Sequence, residues 1–533
     1  MSKDSLVAQL NEKYDIVGTI DTSNWDCGFI LQTWARAEKK LLELRRDEYL
    51  NDQRLIIVFD RGKFNNSMSF RNFVQKWQQI INTVDISNFF LIIAHNDIAA
   101  AEEIKQDCIQ ISTDPVPINF ELYQSDIVFN DHTPSSPEES PTFCILPWIH
   151  LMVHPFDHVQ PCCNSPEVLG NTKTQTLAQA WNSSNMKRIR QSMISGAYHP
   201  ACSKCYENER HSEQSARNRV NKEFPQYFDL VDLTNSDGSL DTFDLKYIDI
   251  RYSNICNLRC RTCSHHASSR WYSDEKKLNP SYDKPIQIKA GRYETDIWEQ
   301  IVPHIDSLES IYFAGGEPLL MDEHYWLLDE LEKRKKFDVK IFYNTNFTVV
   351  NKTKRHLFDY WKNFKNITVG ASLDASGSRA EYLRKDTRWQ DIIDNRLLLK
   401  ERVPHVKFRI SSTLSIINSL HLPDFHREWI ELDLVHPDDI SINLVLDPDW
   451  YKIDIATASF KEKIKEKYQS HIRWLSQQGA SQQTLTAFEK CIPFSTSNDN
   501  TELLGQFQKV TRDLDRIRNE NILDFFPELN ELF

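Results

Sequence analysis

Ile255-Cys256-Asn257-Leu258-Arg259-Cys260-Arg261-Thr262-Cys263-Ser264 follows an apolar, strand-like run at residues 245–251 and spaces three cysteines as C-x3-C-x2-C. Three thiolates this close can hold three irons of a cubane cluster and leave the fourth without a protein ligand. Such an open position lets a small molecule bind beside a redox centre. The same cysteines would also suit zinc if His265 or His266 completed the set.

Outward from that stretch, strand-like and helix-like segments alternate for about two hundred residues. The expected strands are 245–251, 308–313, 339–343, 367–373, 406–414 and 440–446; amphipathic stretches lie between them at 293–305, 323–333 and 389–401. Six such units predict an α/β fold built on a partial (β/α)6 TIM-type barrel, with its site at the C-terminal strand ends. The second strand ends in Gly315-Gly316-Glu317-Pro318, in a chain with only 13 glycines among 533 residues. Two residues without Cβ let backbone approach a ligand, and a carboxylate beside them suits a cationic amine. A Gly-Gly-x-Pro run is also an ordinary turn. The third strand leads into Asn344-Thr345-Asn346-Phe347, and the fourth ends in Ser372-Leu373-Asp374. Tyr382-Leu383-Arg384 follows; the planar guanidinium of Arg384 matches a carboxylate bidentately, although a single arginine is ordinarily a solvated surface residue. Ser412, Thr413 and Asn443 either line the same mouth or are plain strand-end polar residues.

Together these segments resemble the radical S-adenosylmethionine (SAM) enzymes. The resemblance implies that Cys256, Cys260 and Cys263 hold a 4Fe-4S cluster whose free iron chelates SAM. It also implies SAM contacts at Gly315, Gly316, Glu317, Pro318, Asn346, Ser372, Asp374 and Arg384. Two departures stand out. Phe347 replaces the glycine of the family's Thr-Asn-Gly, and Thr262 replaces the aromatic usually found before the third cysteine.

A second cysteine set lies upstream: Cys144 in Phe143-Cys144-Ile145-Leu146-Pro147-Trp148, the vicinal pair Cys162-Cys163, and Cys202-Ser203-Lys204-Cys205. Four thiolates can close a complete zinc or iron–sulfur site with no open position. With Gly170-Asn171, Ala180-Trp181-Asn182-Ser183 and Cys205-Tyr206-Glu207, this stretch resembles the SPASM and twitch auxiliary-cluster modules. The resemblance implies a second 4Fe-4S cluster on Cys144, Cys162, Cys202 and Cys205. In those modules a glycine stands five positions before the second ligand; Asp157 occupies that place and selects Cys162, although vicinal cysteines can exchange roles. Residues 177–193 read as one helix with Arg188 and Arg190 on a solvated face.

The expected organisation is a small α/β domain over 1–130, an exposed linker at 131–141 and the cysteine-rich module at 142–222. The barrel then occupies 240–450, and a mostly helical tail follows at 451–533. In the first domain, strands at 55–60 and 89–94 flank a helix near 70–81, with another at 99–104. No run of about 18 apolar residues and no signal-peptide pattern is present, which predicts a soluble cytoplasmic protein without a membrane partner. Seven of 11 cysteines fall in the two sets, leaving Cys27, Cys108, Cys163 and Cys491, which is no disulfide framework. Cys491 reads as a buried structural cysteine, with hydrogen-atom donation its rival role. A net charge of −13, from 76 acidic and 63 basic residues, argues against binding nucleic acid through a basic surface.

The resemblance implies an enzyme that reductively cleaves SAM, fed by an external one-electron reductant, and abstracts hydrogen from a substrate; the favoured substrate is a peptide or protein. The alternatives are a small metabolite or an RNA as substrate, or a non-catalytic iron–sulfur carrier or scaffold. No catalytic acid or base is assigned.

Overall fold

The computed structural model describes residues 140–210, 215–292, 296–496 and 498–533, together with three strands nearer the N-terminus. The chain divides into two compact units, Met1–Thr133 and Pro134–Phe533. In the first, β1 (Arg54–Asp60), β2 (Asn88–His95) and β3 (Ile118–Gln124) form a parallel sheet in that order. The first two strands were expected. The third was not, because Pro115, Pro117 and Glu121 interrupt its apolar pattern. The helices expected at 70–81 and 99–104, with Cys27 and Cys108, lie outside the described residues.

The second unit is built on one sheet. Its strands include β4 (His150–Val153), β5 (His158–Gln160), β6 (Gly170–Asn171), β7 (Tyr247–Ile250) and, after the two-residue β8 (Arg259–Cys260), β9 (Ser310–Phe313). β10 (Lys340–Thr345), β11 (Asn366–Ala371), the short β12 (Arg384–Lys385), β13 (Lys407–Leu414) and β14 (Ile440–Leu444) follow. The nine-stranded order is β14-β13-β11-β10-β9-β7-β4-β5-β6. From β7 to β14 the six expected strands are parallel neighbours in chain order, as successive βα units require. Helices Asp322–Lys333, Leu357–Trp361, Trp389–Arg402 and Leu422–Glu431 cover their outer face.

β13 shows how the two faces separate. Phe408, Ile410 and Leu414 are buried toward the helices, with Phe408 stacked 6.2 Å from Trp429. The alternate residues Arg409, Ser411 and Thr413 are only half-buried and face the lumen. Among the described strands this side is lined largely by polar groups, so the barrel is a hollow container rather than a packed core.

β4 pairs in parallel with β7, Val153 opposite Ile250, and β5 and β6 continue from it antiparallel. The cysteine-rich segment therefore extends the barrel sheet. The helix expected over 177–193 is broken into Leu177–Trp181 and Ser184–Ile194. Ser183 caps the second piece by accepting from Met186 N, and Asn182 bonds both Leu240 N and Leu240 O. The reading of Arg190 as a solvated residue is corrected. It is fully buried, donates to Pro147 O (2.9 Å), Asn182 Oδ1 (3.1 Å) and Gly238 O (3.2 Å), and lies 4.9 Å over Trp181. Its planar fork meets three acceptors, so the charge stays inside without a carboxylate.

The tail is helical as expected, through Ala458–Gln477, Gln482–Glu489, Cys491–Thr496, Leu504–Arg518 and Ile522–Phe525. Helix Gln482–Glu489 lies against the edge strand β14, and Phe525 stacks 4.7 Å from Tyr382. Cys491 is buried, donates to Ala487 O of the preceding helix, and does not line the cavity described below. Among the described residues, no helix is long and apolar enough to cross a membrane.

Candidate functional site

The cysteine loop leaves the end of β7 and is held by side chains that satisfy its backbone. Buried Asn254 donates to His265 O (2.8 Å) and Ile286 O (3.3 Å) and accepts from Ile288 N (2.9 Å), so one amide spans three segments. Ser268 Oγ donates to Leu258 O, and Trp271 Nε1 to Cys260 O at 2.8 Å. β8 pairs antiparallel with β12, Cys260 opposite Arg384, which docks the Tyr382-Leu383-Arg384 run onto the loop. Cys256, Cys260 and Cys263 all open onto one cavity of about 440 Å3, within the size range of small-molecule sites. The Cys263 thiol donates to Cys260, and the Arg384 guanidinium stands beside it; both hold Cys260 below the usual thiol range.

His265 does not complete a zinc site. It is buried, with Nδ1 on Tyr282 OH (2.8 Å) and Nε2 on Ile286 O (2.9 Å), so both ring nitrogens are taken. His266 rests its ring 5.0 Å from Phe156. Among the described residues, no three His, Cys, Asp or Glu side chains gather as tightly as a single metal ion requires.

The strand-end residues divide into two groups. Gly315, Gly316, Asn346, Ser372 and Arg384 line the cavity with the three cysteines, as does Thr413; Glu317, Pro318, Asp374 and Ser412 do not. Asn443 is exposed on β14 and bonds Ser411 Oγ and Ser412 O. A Cβ on Gly316 would lie 2.2 Å from Ile255 O, so its missing side chain serves the packing of this turn against the cysteine loop itself. Gly315 has φ +111°, which also favours glycine. The Glu317 carboxylate is turned away from the cavity. It accepts from Leu319 N (3.0 Å), Thr345 Oγ1 (2.7 Å) and Asn346 N (2.7 Å), stapling the second-strand turn to the third. Burial pushes its carboxyl up to about 7, while those three donors favour the ionised form. Pro318 is buried at the start of a short 3-10 turn.

Asn346 donates to Asn257 Oδ1 (2.9 Å) and approaches Cys256 Sγ (3.8 Å). Phe347 keeps a left-handed φ of +58° although it is not glycine. A conformation of this kind costs on the order of 1–3 kcal/mol. The Phe347 ring is fully buried and packs edge-on 5.1 Å from Phe408, which offsets that strain.

Arg384, 9% exposed, is not a surface arginine. Its Nη2 pairs with Asp374 Oδ2 at 2.8 Å, its Nη1 lies 3.7 Å from Cys260 Sγ, and its Nε has no partner. Asp374 Oδ1 accepts from Thr413 N (2.8 Å), so this carboxylate links Arg384 to β13 from behind the wall. Reading the strands position by position finds further lining residues. Tyr312 and Asn344 occupy lumen-facing places on β9 and β10, and Arg251 directly follows β7 with its fork on Asp249 (3.1 and 3.0 Å). Period-two alternation could have identified them. His154, Pro155 and Phe156, from the turn between β4 and β5, carry no such signal because the pairing of β4 with β7 places them.

The second cysteine set is also brought together. Cys144 and Cys205 are buried, and Cys162 and Cys202 partly so. Burial pushes the thiols of Cys144, Cys162 and Cys202 up, Cys202 to about 12, and the thiols raise one another further. A cationic centre would relieve that mutual repulsion, so the donor set fits a metal cluster. Helix Ala216–Glu223 braces it. Asn221 bonds Phe143 O and Ile145 N, and Arg217, paired with Glu209, donates to Phe143 O. Cys163 is exposed and feels Asp249 and Arg251 rather than the other three positions of the set. Cys162→Ser is therefore expected to lose the iron of this set and Cys163→Ser to keep it. Iron analysis of the two reconstituted variants checks this, and equal loss in both would refute the assignment.

Residues 250–415 match the radical SAM superfamily, and residues 144–206 match an iron–sulfur cluster-binding domain, SPASM. No curated protein matches the chain. Among solved structures, native anSMEcpe with bound AdoMet and Cp18Cys peptide is similar at 18% identity and TM-score 0.31, over 43% of this chain and 58% of that one. TYW1 with a lysine-pyruvate adduct bound is similar at 15% identity and TM-score 0.26, over 44% of this chain and 73% of that one.

Proposed function

We propose that the chain is a radical SAM enzyme with an iron–sulfur cluster-binding domain ahead of its barrel, and that it abstracts hydrogen from a peptide or protein and thereby modifies it. Its cofactors are a 4Fe-4S cluster, SAM and an auxiliary iron–sulfur cluster. When bound, the first cluster supplies the electron that cleaves SAM to a 5′-deoxyadenosyl radical.

Cys256, Cys260 and Cys263 would hold that cluster, and Cys144, Cys162, Cys202 and Cys205 the auxiliary one. Arg384 would take the SAM carboxylate through its unpartnered Nε, while Asp374 keeps the guanidinium in place from behind. Ser372 and Asn346 would offer polar contacts at the strand ends. Glu317 would act on SAM only indirectly, by fixing the turn that presents Gly315 and Gly316.

One observation carries the reading. Cys256, Cys260 and Cys263 line one cavity with Arg384, a nine-tenths-buried arginine whose Nε has no hydrogen-bond partner, and His154–Phe156 of the cysteine-rich segment form part of its wall. A substrate there would lie on the side of the barrel that carries the second thiol set. The module's resemblance to those of peptide-modifying enzymes supports a peptide substrate.

The test uses anaerobically reconstituted protein with SAM, dithionite and a deuterated peptide pool or a deuterated small-metabolite pool. Deuterium in 5′-deoxyadenosine from the peptides is the expected result. Deuterium only from the metabolites would overturn the substrate class, and absence of 5′-deoxyadenosine with both clusters present would overturn the mechanism.

A further inference from the structure

Arg259 and Arg261 flank Cys260, and distant parts of the chain hold both. The Arg261 side chain is fully buried, lies 3.7 Å over the Tyr382 ring, and pairs with Asp515 and with Glu520 (2.9 Å). Tyr382 OH donates to the same Asp515 at 2.9 Å. Arg259 donates to Asp274 (2.8 Å), and the other oxygen of Asp274 accepts from Arg518 Nε (2.9 Å). Asp515 and Arg518 both belong to helix Leu504–Arg518, so one helix grips the loop on both sides of Cys260. Arg518 also lies 4.9 Å over Trp271, whose indole holds the Cys260 carbonyl.

Asp274 and Arg518 have no exposed side-chain surface. Apolar side chains would pack a helix without the desolvation such charges cost.

We propose that helix Leu504–Arg518 is a positioning clamp on the cysteine loop, and that Arg518 and Asp274 set the reduction potential of the cluster held there by acting as opposed buried charges behind Cys260. The inference rests on the reading of Cys256, Cys260 and Cys263 as cluster ligands. Reduction adds negative charge to the cluster, so a nearby cation favours the reduced form and a nearby anion the oxidised form.

The test is an EPR-monitored redox titration of full-length, anaerobically reconstituted protein, following the signal that changes when SAM is added. Arg518→Gln lowers the midpoint potential, Asp274→Asn raises it, and Arg518→Lys returns it to the wild-type value. A clamp that only packs would shift the first two variants in the same direction or leave both unchanged, and either result overturns the electrostatic role. If Arg518→Gln does not retain iron, Glu520→Gln replaces it. That variant removes a negative partner of Arg261 and must raise the potential; no change or a fall overturns the proposal. A wild-type protein with no SAM-responsive signal sinks the cluster reading itself, and the clamp's redox role with it.

Discussion

Cys260→Ala is expected to abolish formation of 5′-deoxyadenosine and to lower bound iron from about eight atoms per chain to about four. Cys260 is the middle cysteine of its set and is held on three sides. Its carbonyl is held by Trp271, its backbone pairs with Arg384 across the β8–β12 ladder, and its sulfur faces the Arg384 guanidinium. Alanine leaves only Cys256 and Cys263, too few to retain the cluster. The second cysteine set, Cys144, Cys162, Cys202 and Cys205, is separate and braced by helix Ala216–Glu223, so iron held there is expected to persist. Metal analysis of the reconstituted variant and a dithionite-driven assay with SAM check both parts. Undiminished cleavage would refute the assignment of Cys256, Cys260 and Cys263.

Arg384→Met is expected to destabilise the fold by about 3–5 kcal/mol and to remove SAM binding, because it strands Asp374 as an uncompensated charge in a buried site. Arg384→Lys separates the two effects. Lysine keeps a cation for Asp374 but lacks the planar fork that spans Asp374 and Cys260 and leaves Nε free for a ligand. Near-wild-type stability with SAM affinity lower by about 10–100-fold, roughly 1.4–2.7 kcal/mol, is the expected result. Chemical unfolding and equilibrium dialysis with SAM measure the two quantities. Wild-type affinity in Arg384→Lys would show that the guanidinium does not hold the SAM carboxylate.

Much of the site could be read before any geometry was known, for reasons visible in single residues. C-x3-C-x2-C is a local spacing, and the strand ends bearing Gly315, Ser372 and Arg384 follow from short-range alternation. What could not be read was where each side chain points. Glu317 and Asp374 were expected to meet SAM, yet both carboxylates are turned onto neighbouring backbone donors and onto Thr345 or Arg384. A buried carboxylate takes whatever donors surround it, and those donors come from other strands. Arg190 misled in the same way: its helical position is amphipathic, but its acceptors lie at Pro147 and Gly238.

The sequence by itself determined the six parallel strands, the two cysteine sets and the helical tail, because periodicity and ligand spacing act over a few residues. Tertiary structure alone decided that β4 joins β7 across about a hundred residues, drawing His154 and Phe156 into the cavity wall. It also buried Cys162 more deeply than its exposed neighbour Cys163, and placed Arg518 over Trp271, whose indole holds the Cys260 carbonyl. Each of these depends on a pairing between distant segments, and no local pattern specifies which distant partner satisfies a given donor, charge or sheet edge.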